Sequence, residues 1–205
     1  MDGFTYEFED RKERLERYEW DNVIINLATT PEEKRVLYIG DSISVGTRNI
    51  ATDKTGGKIQ FDGFGTSKAL DNPYFVLALS LFAEQEVRRD AVIFNNGLHG
   101  WHLDDETEYK KYYDEMISFL MTKFSGTPVY IVLTTHLANP DREKRVIKRN
   151  TAAIEVAEKY GLPVIDIYSV TLENANLLAA DGAHFSNEGY EKIAEKIIET
   201  ISIEE

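Results

Sequence analysis

The chain has no cysteine, which excludes disulfides, thiolate metal sites and a Cys nucleophile. It also lacks any window near the roughly 18 consecutive apolar residues that a membrane-spanning helix needs. Basic charge is scarce: 23 Lys and Arg stand against 36 Asp and Glu, a formal charge of −13. Such a surface repels phosphate backbones and anionic lipid, so neither nucleic acid nor membrane is an expected partner. A neutral or cationic small molecule is the partner that this charge favours. The opening Met1-Asp-Gly-Phe-Thr-Tyr-Glu7 is neither basic nor apolar, so no secretion signal is read there and a cytoplasmic protein is expected. A mature chain relieved of its signal would look the same. No repeat or low-complexity tract is present, and 205 residues suit one compact α/β domain.

Residues 1–35 read as a charged arm, with an amphipathic helix over Asp10–Trp20 placing Leu15, Tyr18 and Trp20 on one side. The domain proper is expected over 36–205. Val36-Leu-Tyr-Ile-Gly40 is a buried strand that runs into Asp41-Ser42. Lys58–Phe61, Ala91–Phe94, Pro128–Leu133 and Leu162–Asp166 are four further strand-like runs. Between them lie helical patterns, among them one opened by Asn72-Pro73, one over Asp105–Phe124 and one over Arg142–Tyr160 that stops on Gly161. Leu172–Ala180 is expected to be a short helix, and Ser186 caps a last helix. Alternation of this kind gives a five-stranded parallel sheet with helices on both faces. Right-handed crossovers then bring the polar clusters after the strands to one rim.

Ser42 stands at that rim, where a nucleophile is useful, although Gly-Asp-Ser is also an ordinary strand-to-helix turn. A serine nucleophile needs a base and a group to orient it. There are four histidines, and His184 follows Asp181 by three residues, a spacing that lets a carboxylate reach back to one ring nitrogen. A surface turn has the same spacing. Acyl transfer also needs donors for the oxyanion, and Gly65 with Asn95 or Asn96 lies in the loops after the second and third strands. A simple turn also explains Asn-Asn-Gly.

Taken together these blocks resemble the SGNH (GDSL-type) hydrolases. Gly40-Asp41-Ser42 looks like the first block, Gly65-Thr66-Ser67 like the second, and Asp181-Gly-Ala-His184 with Phe185 and Gly189 like the last. The third block departs: Phe94-Asn95-Asn96-Gly97-Leu98-His99 stands where the family has Gly-any-Asn-Asp. The resemblance spans residue 36 onward and leaves the arm outside. It implies a three-layer flavodoxin-like fold and a serine esterase without metal or organic cofactor. Ser42 is then the nucleophile, His184 the base and Asp181 its orienting acid. The implied oxyanion donors are Ser42 N–H, Gly65 N–H and the Asn95 side chain, preferred over Asn96 because it comes first after the strand.

Asn96, His99, Trp101 and His136 are the expected substrate-lining residues, and Asp41 is expected to tie down its loop. His99 and His102 near Asp104 lack the spacing of a metal site. With no apolar lid segment in view, short acyl esters such as acetylated sugars are favoured over long-chain lipids. The altered third block leaves open a catalytically silent carbohydrate- or small-molecule-binding module on the same fold. A flavin- or nucleotide-binding flavodoxin-like protein is disfavoured, because no Gly-rich phosphate loop follows the first strand.

Overall fold

The structure is a computed structural model that describes residues 14–30, 33–85, 88–103 and 106–201. Its sheet has six strands: β1 (Asp21–Ile24), β2 (Lys34–Gly40), β3 (Ile59–Thr66), β4 (Ala91–Phe94), β5 (Val129–Val132) and β6 (Val164–Ile165). The helices are α1 (Ser42–Lys54), α2 (Phe75–Ala83), α3 (Glu106–Lys123), α4 (Pro140–Tyr160), α5 (Ile167–Glu173) and α6 (Asn187–Thr200).

Successive residues of a strand face opposite sides, and β2 uses both. Leu37 and Ile39 join a core built with Phe75 and Leu79 of α2, Ile117 of α3 and Val156 of α4. Val36 and Tyr38 join the opposite core with Ile43 of α1 and Ile193 and Ile197 of α6. A strand covered on both faces has no polar alternation, which is why 36–39 reads as one apolar run.

The order β1-β3-β2-β4-β5-β6 is parallel from β3 to β6. Counted along the parallel strands it is the 2-1-3-4-5 order of flavodoxin-like sheets. The connections diverge between β2 and β4, and that crevice is where such sheets bind ligands. Five strands answer to the five expected runs; the sixth, β1, is an antiparallel edge strand from residues 21–24 that the sequence did not announce. β3 also runs to Thr66, beyond the expected end at Phe61, paired with β2 as far as Gly65 and with β1 to Thr66. The expected helix over Asp10–Trp20 lies partly outside the described residues, and Arg14–Trp20 is irregular. The short helix expected over Leu172–Ala180 is instead α5 followed by a 3₁₀ turn at Ala175–Leu177.

A buried ion pair fastens this edge. Arg35 Nη1 donates to both carboxylate oxygens of Asp62, at 2.9 and 2.8 Å, while Nη2 donates to the carbonyls of Asn26 and Leu27. Asn26 N–H returns to Asp62 Oδ1 at 2.7 Å. The turn after β1 is thereby held to β2 and β3 by charge-assisted bonds away from water. Removing one partner of such a pair strands the other charge, at a cost of about 3–5 kcal/mol. Asp62→Ala should lower the unfolding free energy by about that amount in urea titration; a loss near that of a surface substitution would contradict it.

Candidate active site

Asp41 ends β2 and caps α1, its Oδ1 accepting Ile43 N–H at 2.9 Å. Ser42 is therefore the first residue of α1, partly exposed, with its N–H at the positive end of the helix. Its Oγ lies 2.8 Å from His184 Nε2, and His184 Nδ1 lies 3.0 Å from Asp181 Oδ2. Asp181 Oδ1 accepts the N–H groups of Ala183 and His184, each at 2.9 Å. One carboxylate oxygen thus shapes the turn and the other orients the ring, which fixes Nδ1 as the donor and leaves Nε2 facing Ser42. Burial works to raise the Asp181 carboxyl, but the His184 and Ala183 N–H bonds and the imidazole outweigh it and hold it below its ordinary value.

The two amides of the third loop point apart. Asn95 Nδ2 donates to Val132 O at 2.9 Å and Thr134 Oγ1 at 3.2 Å, so both of its hydrogens go to the β5 side. Asn96 Nδ2 makes one bond among the described residues, to Lys68 O at 2.9 Å in the loop after β3. Asn95 is thus committed to the β5 side, whereas Asn96 faces the second loop with one amide hydrogen unpaired among the described residues. Gly65 also departs from expectation, because it lies within β3 opposite Asn22. Ser67 N–H donates to Trp20 O in the same ladder, and antiparallel alternation then turns the Gly65 N–H toward Asn22 and away from Ser42.

Trp101 does not line a cleft. It is 1% exposed, with the guanidinium carbons of Arg149, Arg142 and Arg145 at 4.4, 4.7 and 5.1 Å from its ring centre. Arg149 is the organiser of this loop: Nη1 donates to Gly97 O and His99 O, and Nη2 to Gly100 O at 2.7 Å. Tyr109 closes the set by donating its hydroxyl to Asn96 O. A side chain at Gly97 would overlap Thr134 Oγ1. Sequence reasoning passed over Arg149, yet the signal was there: it shares the buried stripe of α4 with Val146, Ala153 and Val156. A cation at a core position needs several acceptors, and here they are carbonyls.

His136 Nδ1 is 2.8 Å from Glu143 Oε1, and its N–H donates to Thr171 Oγ1. Two residues on, Ala138 N–H donates to Gly182 O, so this loop backs the turn that carries Asp181 and His184. His102 Nε2 is engaged with both oxygens of Asp71 at 3.0 Å. Among the described residues no group of His, Asp and Glu is arranged to hold a metal.

Two measurements test these assignments. Arg149→Met should lower stability by about 2–4 kcal/mol and speed amide exchange over 97–103; unchanged exchange there would count against the clamp. Burial chiefly pushes the Asp41 carboxyl up to about 6, against the pull of Ile43 N–H and His184. A raised folded-state value means that this group's contribution to stability is full below about pH 4 and is lost as pH rises through about 6. Asp41→Asn keeps a capping oxygen and removes that slope. Its unfolding free energy relative to the wild type should therefore rise between pH 4 and 7, and parallel profiles would refute the shift.

No protein-family model and no curated protein matches the sequence. Solved structures do match in fold. A member of the lipolytic protein G-D-S-L family from Veillonella parvula is 19% identical with a TM-score of 0.68, over 82% of this chain and 98% of that one. A lipase/acylhydrolase from Enterococcus faecalis is 18% identical with a TM-score of 0.62, over 81% and 94%. An acetylxylan esterase from Geobacillus stearothermophilus is 15% identical with a TM-score of 0.61, over 83% and 95%. The fold of this chain is the one on which these lipolytic and esterase proteins are built.

Proposed function

We propose that the chain is a serine esterase that hydrolyses short-chain acyl esters, carbohydrate O-acetyl esters among them. The observation that carries this reading is the continuous path from Ser42 Oγ to His184 Nε2 and from Nδ1 to Asp181, at 2.8 and 3.0 Å. Ser42 Oγ attacks the ester carbonyl as His184 Nε2 takes its proton, and Asp181 stabilises the imidazolium. The oxyanion meets Ser42 N–H at the start of α1 and the free amide hydrogen of Asn96. His184 then returns the proton to the departing alcohol, leaving an acyl group on Ser42. Water activated by the same imidazole releases the acid.

Two features support a short acyl group on an uncharged alcohol. The surface is strongly acidic, at −13, and two of the proteins similar in fold are named acetylxylan esterases.

Hydrolysis of a short chromogenic ester such as p-nitrophenyl acetate provides the test. Ser42→Ala should reduce kcat by at least about a thousandfold. Asn96→Ala should reduce kcat by about a hundred- to a thousandfold with KM little changed. Asn95→Ala should act mainly on thermal stability. Full activity in Ser42→Ala would end the serine mechanism; no activity in the wild type on any short ester would favour the silent binding module. Greater loss in Asn95→Ala than in Asn96→Ala would return the oxyanion role to Asn95.

A further inference from the structure

Three residues beyond Asn96, His99 is 2% exposed, and neither ring nitrogen has a hydrogen-bond partner among the described residues. A buried polar atom left unpaired costs about 1–3 kcal/mol, so two on one ring need a reason. The walls around the ring come from the irregular segment 14–20. Trp20 meets it edge-on at 6.1 Å, and Glu16 Oε1 is 3.8 Å from Nδ1, too long for a hydrogen bond. That segment is held over the second and third loops by specific contacts. Glu16 accepts Gly100 N–H at 2.8 Å, and Glu19 accepts Ser67 Oγ–H and Asn72 Nδ2–H at 3.1 and 2.9 Å.

We propose that His99, walled by Glu16 and Trp20, is the subsite for the alcohol portion of the ester, and that it binds a hydroxyl next to the acylated position of a neutral polyol. The inference rests on the esterase reading and deepens it. Burial first, then Arg149 and His184, hold the imidazole neutral, down at about 3. A neutral imidazole offers one N–H donor and one nitrogen acceptor. A hydroxyl answers both. A carboxylate or phosphate offers no donor, and Glu16 and Glu19 repel it besides. His99 shares the third loop with Asn96, whose side chain donates to Lys68 O in the loop after β3. Trp20, which meets the ring edge-on, is partly exposed, and the subsite requires that indole edge to move aside. An aromatic face beside a polar pair also suits the alternating C–H and O–H faces of a sugar ring.

The test pairs a substrate change with a side-chain change. A methyl pyranoside carrying one O-acetyl group beside a free hydroxyl, and its deoxy counterpart, are hydrolysed by the wild type and by His99→Phe. The loss of kcat/KM should be at least about fivefold larger on the hydroxyl-bearing ester than on the deoxy ester. Equal losses on both would overturn the subsite and leave His99 a packing residue. The esterase reading fails separately, if Ser42→Ala hydrolyses either ester as fast as the wild type. Calorimetric binding of the same two glycosides to Ser42→Ala decides the subsite without turnover. Binding that prefers the hydroxyl and loses that preference in Ser42→Ala/His99→Phe supports it. Absent binding, or binding indifferent to the hydroxyl, overturns it.

Discussion

The hydrogen bond between Ser42 and His184 joins residues 142 positions apart. Everything else in the chain has to make that meeting possible. A parallel sheet sends every strand's C-terminal end to one rim, and β2 lies in the interior of the sheet between β3 and β4. Helix α1 starts at Ser42, and α6 starts three residues after His184, so packing α1 on α6 sets both ends of the bond. A side chain at Gly46 would stand 2.5 Å from the Tyr190 ring. The absence of that side chain therefore lets the two helices approach as closely as the bond requires.

Irregular backbone near a site has carbonyls that no helix or sheet satisfies, and this acidic chain answers with buried arginines. Arg35 takes the carbonyls of the turn after β1, and Arg48 reinforces the edge strand itself at the carbonyl and side-chain oxygen of Asn22. Arg149 takes those of the third loop. A guanidinium has five donors in a fixed fork, so one side chain can hold two or three peptide groups in place. The segments that bear on the site are thus rigidified from behind.

The parallel strands and long helices were legible in the sequence because each carries its own signal: an apolar run such as 36–39, or a cap such as Asn139-Pro140 with Gly161 at the far end. Ser42, Asp181 and His184 were legible because a strand end and a three-residue spacing are local facts. What escaped was set by distant partners. Asp21–Ile24 is as long as Ala91–Phe94 but half polar, so it does not announce a strand, and it forms one because the edge of β3 is open to it. Periodic Leu15 and Tyr18 suggest a helix, but Glu16, Glu19 and Trp20 are drawn to Gly100, Ser67 and Asn72, and those contacts override the weak local preference. Trp101 sits among glycines and histidines and so reads as a loop aromatic. The three cations around it come from α4, some forty residues later.

The third loop shows the limit most sharply. Residues 95 and 96 are identical in chemistry and adjacent in sequence, and only direction separates them. Asn95 still continues β4, its N–H donating to Ile39 O as a strand residue would. Its side chain falls to the β5 side, where Val132 O and Thr134 Oγ1 await it. One residue later the chain has turned, and Asn96 is thrown toward Lys68 in the loop after β3. Order of appearance after the strand does not by itself say which way each side chain turns. The first amide past a strand end inherits the strand's pleat and serves the sheet. The second is the first to be released from it, and so the first free to turn toward the neighbouring loop.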